Sequence, residues 1–195
     1  IMPRFFGVHW FNPPRYLPLI EMIPHHKTDK ACMHHLRDWM ENTLGKTVLV
    51  TKDTPNFIAN RMGCMGLLLA CKHGAKHKLT IETIDAITGT MIGHPKSATF
   101  RTLDWVGLDI FASVVNTMTH TGKQDPWQSE YTLPKSIQQL IEKGYLGQKT
   151  GQGLYKKTNE GIMSWSFQHK RYQAKEKASS NLLNLKKRWK KENKK

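Results

Sequence analysis

Asn12-Pro13-Pro14 sets the first limit on what this chain can fold into. Adjacent prolines offer no backbone N–H and fix φ, so neither a helix nor an interior strand runs through them. The aromatic, β-prone run Arg4–Trp10 must stop there, and the apolar run Leu17–Ile23 must begin afresh. Beyond it Thr28 reads as a helix N-cap, with Asp29 in the first turn. Cys32, Leu36, Trp39, Met40 and Leu44 recur at helical spacing, and Gly45 is the stop. The β-branched run Thr47–Thr51 reads as a third strand. Strand, strand, helix, strand is the tail end of an α/β unit.

After Asp53-Thr54-Pro55 the pattern turns helical. Phe57–His73 is a long apolar helix with small residues at Gly63, Gly66 and Ala70. Thr80 caps a helix to about Thr88; Phe100–Trp105 and Leu108–Met118 follow, broken at Gly107. Pro134 opens another at its first position, and Gly144 stops it. Gly147–Gly153 is a glycine-rich turn, and Leu154–Lys156 with Ile162–Trp165 form a small hairpin.

Charge is uneven. The chain carries a formal +15, and residues 170–195 hold 11 Lys and Arg against two acids. A basic tail of this kind binds nucleic acid or an anionic surface, or is a solvated linker. No zinc-finger spacing or helix-turn-helix cue supports specific nucleic-acid recognition. Leu182, Leu183, Leu185 and Trp189 allow a short helix that needs a partner surface, and the tail as a whole is expected to be mobile. No apolar stretch of about 18 residues is present, so no membrane span is expected. Three cysteines without a close pair suit a reducing cytoplasm.

Two residues draw attention as a chemical pair. His9 ends an apolar strand before the prolyl break, and Glu21 lies in the next extended run. Two strands joined by such a loop can set them side by side, and a carboxylate beside an imidazole makes a competent general base. Spacing alone leaves open a strand-end histidine and a surface glutamate. Asn60, among Phe57, Ile58 and Met62, can bridge structure or aim an amide N–H at a substrate oxygen. The ten histidines fall into no common zinc spacing, so no metal is expected. Gly144, Gly147, Gly151 and Gly153 make neither G-x-G-x-x-G nor a Walker A loop.

The ordered motifs carry a resemblance. Arg4-Phe5-Phe6-Gly7-Val8-His9-Trp10-Phe11-Asn12-Pro13-Pro14 with Leu19-Ile20-Glu21 resembles the catalytic segment of L-3-hydroxyacyl-CoA dehydrogenases. The likeness continues through Leu44-Gly45-Lys46, Asp53-Thr54-Pro55-Asn56-Phe57-Ile58-Ala59-Asn60-Arg61 and Ile84-Asp85. It closes with Gly93-His94-Pro95-Lys96-Ser97-Ala98-Thr99-Phe100-Arg101, Asp104-Trp105-Val106-Gly107-Leu108-Asp109 and Gly147-Gln148-Lys149-Thr150-Gly151-Gln152-Gly153-Leu154-Tyr155. The form Pro95–Arg101 is similar to that of bacterial fusion enzymes of fatty-acid β-oxidation that also carry an enoyl-CoA hydratase part.

The resemblance implies a fold, a site and partners. The fold expected is mainly α: a C-terminal remnant of a Rossmann α/β NAD-binding domain over 1–53, then an all-helical dehydrogenase C-terminal domain over 54–156. A hairpin and basic linker or tail fill 157–195. It implies NAD-dependent oxidation of 3-hydroxyacyl-CoA to 3-oxoacyl-CoA, with His9, Glu21 and Asn60 catalytic and Asn12 and Pro13 near the nicotinamide. The partners implied are an acyl-CoA substrate, NAD, a second copy through the helical domain, and an enoyl-CoA hydratase module downstream. The glycine fingerprint for NAD would precede this chain, which alone is then expected to be inactive and not to bind NADH tightly. The readings from other classes are a non-catalytic dimerisation or assembly module and a basic-tail binder of nucleic acid or membrane surface.

Overall fold

The computed structural model describes residues 2–121, 125–175, 184, 187–189 and 191–192. They fall into two compact units, Ile1–Arg61 and Met62–Lys195.

In the first unit, β1 (Phe6–Trp10), β2 (Leu19–Pro24) and β3 (Thr47–Val50) form one sheet in the order β1-β2-β3. β1 runs antiparallel to β2 across the prolyl loop, whose Asn12–Pro13 bond is cis. β3 runs parallel to β2, because α1 (Lys30–Asn42) carries the chain back along the sheet before it. Ile20, Met22 and Val48 from the sheet and Met40 from α1 make the core, joined by Val8 and Leu36. The N-cap of α1 is Asp29, one residue later than expected: its carboxylate accepts from the N–H of Ala31 at 2.7 Å. Thr28 is engaged elsewhere, accepting from the N–H of His25 and donating to the carbonyl of Phe5. Gly45, left-handed at φ 62°, turns the chain toward β3. The Lys46 ammonium then donates to the carbonyls of Pro14 and Leu17 at 2.6 and 2.9 Å, which ties down the prolyl loop.

In the second unit, α3 (Ile81–Thr88), α4 (Phe100–Val106), α5 (Leu108–Thr121) and α6 (Lys135–Glu142) follow α2 (Ala59–Lys76), whose first turn spans the division. Leu68, Phe100, Leu103, Leu108, Phe111 and Leu140 lie in its core. Thr80 caps α3 as its position predicts, and Pro134 is the N-cap of α6 rather than its first helical residue. Three strands close the unit: β4 (Tyr155–Thr158), β5 (Gly161–Ser166) and β6 (Arg171–Ala174), antiparallel in that order.

The expectation of a mainly α chain, with an α/β remnant and an all-helical domain, is corrected on both counts. Residues 1–61 are a compact sheet-and-helix unit with a core of their own. The second unit contains a three-stranded sheet whose Trp165 is part of the core. The missed strand, β6, lies inside the basic run counted as tail. Its Tyr172 packs edge-on against Trp165 at 5.2 Å and donates to the carbonyl of Gly153 at 2.6 Å. One aromatic contact and one hydrogen bond hold what the surrounding Lys and Arg made look like linker. Leu182, Leu183 and Leu185 lie outside the described residues.

The glycine-rich turn is built around one buried carboxylate. Asp104 accepts from the N–H of Leu154 and of Tyr155, both at 2.7 Å. The Tyr155 hydroxyl donates to Asp85 at 2.7 Å, and Asp85 accepts from the N–H of Thr99 and Phe100. Burial raises Asp85 above the usual carboxylate range and pushes Asp104 up to about 6. The three cysteines are free thiols, and burial pushes Cys64 and Cys71 up to about 12. Among the described residues no helix is long and apolar enough to cross a membrane.

Candidate active site

His9 and Glu21 are direct partners in the antiparallel β1–β2 register, so their side chains leave the same face of the sheet. His9 Nδ1 lies 2.8 Å from Glu21 Oε2. The Glu21 side chain is fully buried and that of His9 is 27% exposed. This carboxylate is no surface glutamate.

A buried carboxylate needs donors on both oxygens. Oε1 of Glu21 accepts from the backbone N–H of Ile58 at 2.9 Å and of Ala59 at 2.8 Å. These N–H groups stand at the start of α2, where helix geometry leaves them without intrahelical partners and the macrodipole favours an anion. They are turned there by two left-handed residues in succession, Asn56 (φ 60°) and Phe57 (φ 49°). Asparagine enters that region readily; a bulky phenylalanine does so rarely.

Nδ1 of His9 faces Glu21, so Nε2 is the ring nitrogen outside that contact. The imidazole is flanked by two rings, Phe11 with centroids 4.6 Å apart and Phe57 with centroids 5.6 Å apart. The result is a partly exposed imidazole whose orientation is held from behind by a carboxylate and from the sides by aromatics.

Asn60 is half-buried on the first turn of α2, one residue past the Ala59 N–H that holds Glu21. None of the hydrogen bonds among the described residues joins it to His9 or Glu21. Asn12 and Pro13 are exposed at the start of the loop that leaves His9's strand. The residues that sequence reasoning missed are Phe11, Phe57 and the Ile58–Ala59 amides. Asn56 beside the Thr54-Pro55 turn was the available signal, since Asn after a prolyl turn favours the left-handed region. Among the described residues no group of three His, Cys, Asp or Glu side chains gathers to hold a metal.

Comparison with known proteins bears on the same segments. Residues 2–54 match the family model described as 3-hydroxyacyl-CoA dehydrogenase, NAD binding domain. Residues 57–157 match that described as 3-hydroxyacyl-CoA dehydrogenase, C-terminal domain. The first match, with the compact unit seen in the structure, overturns the reading of 1–53 as a mere remnant. A probable 3-hydroxyacyl-CoA dehydrogenase of Bacillus subtilis is 46% identical over 159 residues, covering 82% of this chain and 20% of that protein. One of Deinococcus radiodurans is 45% identical over 157 residues, covering 80% of this chain and 44% of that protein. The matched part of this chain therefore covers less than half of either relative. The crystal structure of FadB2 of M. tuberculosis is similar with a TM-score of 0.70 at 29% identity, over 80% of this chain and 53% of that one. Two domain matches in the family's own order, end to end over residues 2–157, settle the assignment: the chain belongs to the 3-hydroxyacyl-CoA dehydrogenase family.

Proposed function

We propose that this chain serves the NAD-dependent oxidation of a 3-hydroxyacyl-CoA to a 3-oxoacyl-CoA, with His9 as general base. The observation that carries the reading is the 2.8 Å contact between a partly exposed imidazole and a fully buried carboxylate. Nε2 of His9 takes the proton of the 3-hydroxyl as the O–H bond breaks and the C3=O bond forms. Glu21 holds the ring and offsets the positive charge that develops on it. Asn60 directs its amide N–H to the substrate oxygen. Bound NAD supplies the acceptor for the hydride that leaves C3. Asn12 and Pro13, exposed in the loop that follows His9's strand, border the nicotinamide. No glycine-rich phosphate turn stands in the sequence to hold the pyrophosphate, so no residue is assigned to that part. The family and the names of its relatives support the substrate class, and three free thiols suit a cytoplasmic setting. An enoyl-CoA hydratase is the natural neighbour, because hydration of an enoyl-CoA yields this substrate.

The test is turnover of 3-hydroxyacyl-CoA with NAD, followed as NADH, in the polypeptide from the complete reading frame that contains this chain. His9→Gln should lower kcat by on the order of 10²–10⁴, with a far smaller change in the KM for acyl-CoA. Near-full turnover in that variant returns His9 to a structural role.

Self-association of the second unit belongs to the same proposal. Met62, 66% exposed, and Trp127, 55% exposed, border an apolar groove of about 720 Å³ with Met65, Gly66 and Leu69. Exposed apolar surface of this kind marks an interaction face.

A further inference from the structure

Phe57 is the one bulky residue of the His9 site whose backbone lies in the left-handed region. For a phenylalanine that conformation is costly and persists only where its surroundings impose it. Two things at the site depend on it. Its backbone, with that of Asn56, turns the next two N–H groups onto Glu21 Oε1, which leaves Oε2 to His9 alone. Its ring stands 5.6 Å from the imidazole, on which Phe11 also packs.

We propose that Phe57 is a positioning residue for the His9–Glu21 pair: its strained backbone fixes the carboxylate, and its ring keeps the imidazole in the orientation that puts the proton on Nδ1. The proposal rests on reading that pair as the working base. A single residue thereby governs both partners, one through main-chain donors and the other through side-chain contact.

Backbone and ring are separable by substitution. Phe57→Gly keeps the left-handed conformation without strain and removes the ring. Phe57→Val removes the ring and penalises the conformation, since a β-branched residue is poorly accommodated there. Phe57→Tyr keeps both. Two measurements on the 15N-labelled chain read the two roles: amide hydrogen exchange at Ile58 and Ala59, and the ring-nitrogen shifts of His9 in long-range 1H–15N spectra. In the unaltered chain His9 should show the separate Nδ1 and Nε2 shifts of a single Nδ1–H tautomer. Phe57→Gly should leave exchange at Ile58 and Ala59 no faster, while the two His9 shifts move toward the averaged values of a free imidazole. Phe57→Val should also speed exchange at both amides by on the order of tenfold. Phe57→Tyr should restore the original spectrum. If Phe57→Val does not fold, Phe57→Ala carries a milder form of the same penalty and takes its place. Unchanged His9 shifts in Phe57→Gly, or unchanged exchange in the Val and Ala variants, overturns the proposal. Neither measurement needs substrate, so loss of the functional reading through a silent turnover assay leaves this result standing or falling by itself.

Discussion

Glu21 is a charged side chain with no solvent exposure, and three hydrogen bonds from His9, Ile58 and Ala59 are what make that tolerable. Truncating it strands two backbone donors and one ring donor at a part-buried site. Each buried group left without a partner costs roughly 1–3 kcal/mol. Glu21→Ala should therefore destabilise the chain by about 3 kcal/mol or more, read as a lower urea midpoint. Glu21→Gln should lose less, since its amide oxygen can still accept at Oε1's place. The pairing of His9 with Glu21 was legible as two short strands about a prolyl break. The set of donors on the far oxygen was not. An apolar periodicity ran unbroken from Phe57 into the helix, whereas the chain spends Asn56 and Phe57 on a left-handed turn and begins α2 at Ala59. Local propensity yields there to the demand of a buried charge, which no windowed pattern reports.

Among the elements, the turn that holds Asp104 shows how a motif can be structural rather than chemical. A Cβ on Gly147 would meet the carbonyl oxygen of Asp104 at 2.3 Å, and φ at Gly147 is 108°. Gly147→Ala should cost about 3 kcal/mol, measurable as a lowered melting temperature with the far-ultraviolet spectrum retained. The carboxyl itself gives a pH signature. Its folded value, about 6, stands above the ordinary 3.8, so between those values the folded chain binds more protons than the unfolded one. Stability from this group must then fall as pH rises from about 4 to about 6 and level off above. The 13C titration of the aspartate carboxyls should contain one midpoint near 6, absent in Asp104→Asn. Helix starts at Thr80 and the break at Gly107 were visible in the sequence because capping and left-handed glycine are local properties. β6 was not, because Arg171-Tyr172-Gln173-Ala174 gains its place only from pairing with β5 and from Trp165.

For the whole molecule, each unit carries its own hydrophobic cluster, one mainly of Met, Ile and Val, the other rich in Leu and aromatics. The exposed apolar groove on the second unit is the face proposed for self-association. Met62→Glu combined with Leu69→Glu should shift the mass by light scattering toward a single chain, with the circular dichroism unchanged, because neither side chain is in the core. A mass insensitive to both changes would assign the groove another occupant.

His9 meets Glu21 through strand register and not through sequence distance, and that fixes where this family can tolerate insertions and deletions. A residue added within β1 or β2 reverses the face of every position beyond it and parts the pair. Beyond Phe11, whose ring packs on His9, and the Asn12-Pro13 pair, the stretch 14–18 has no such parity to keep, provided Lys46 still finds two carbonyls to bind. Length variation among relatives should thus collect between the strands and be purged within them, a historical trace of geometry left in gaps rather than in residues.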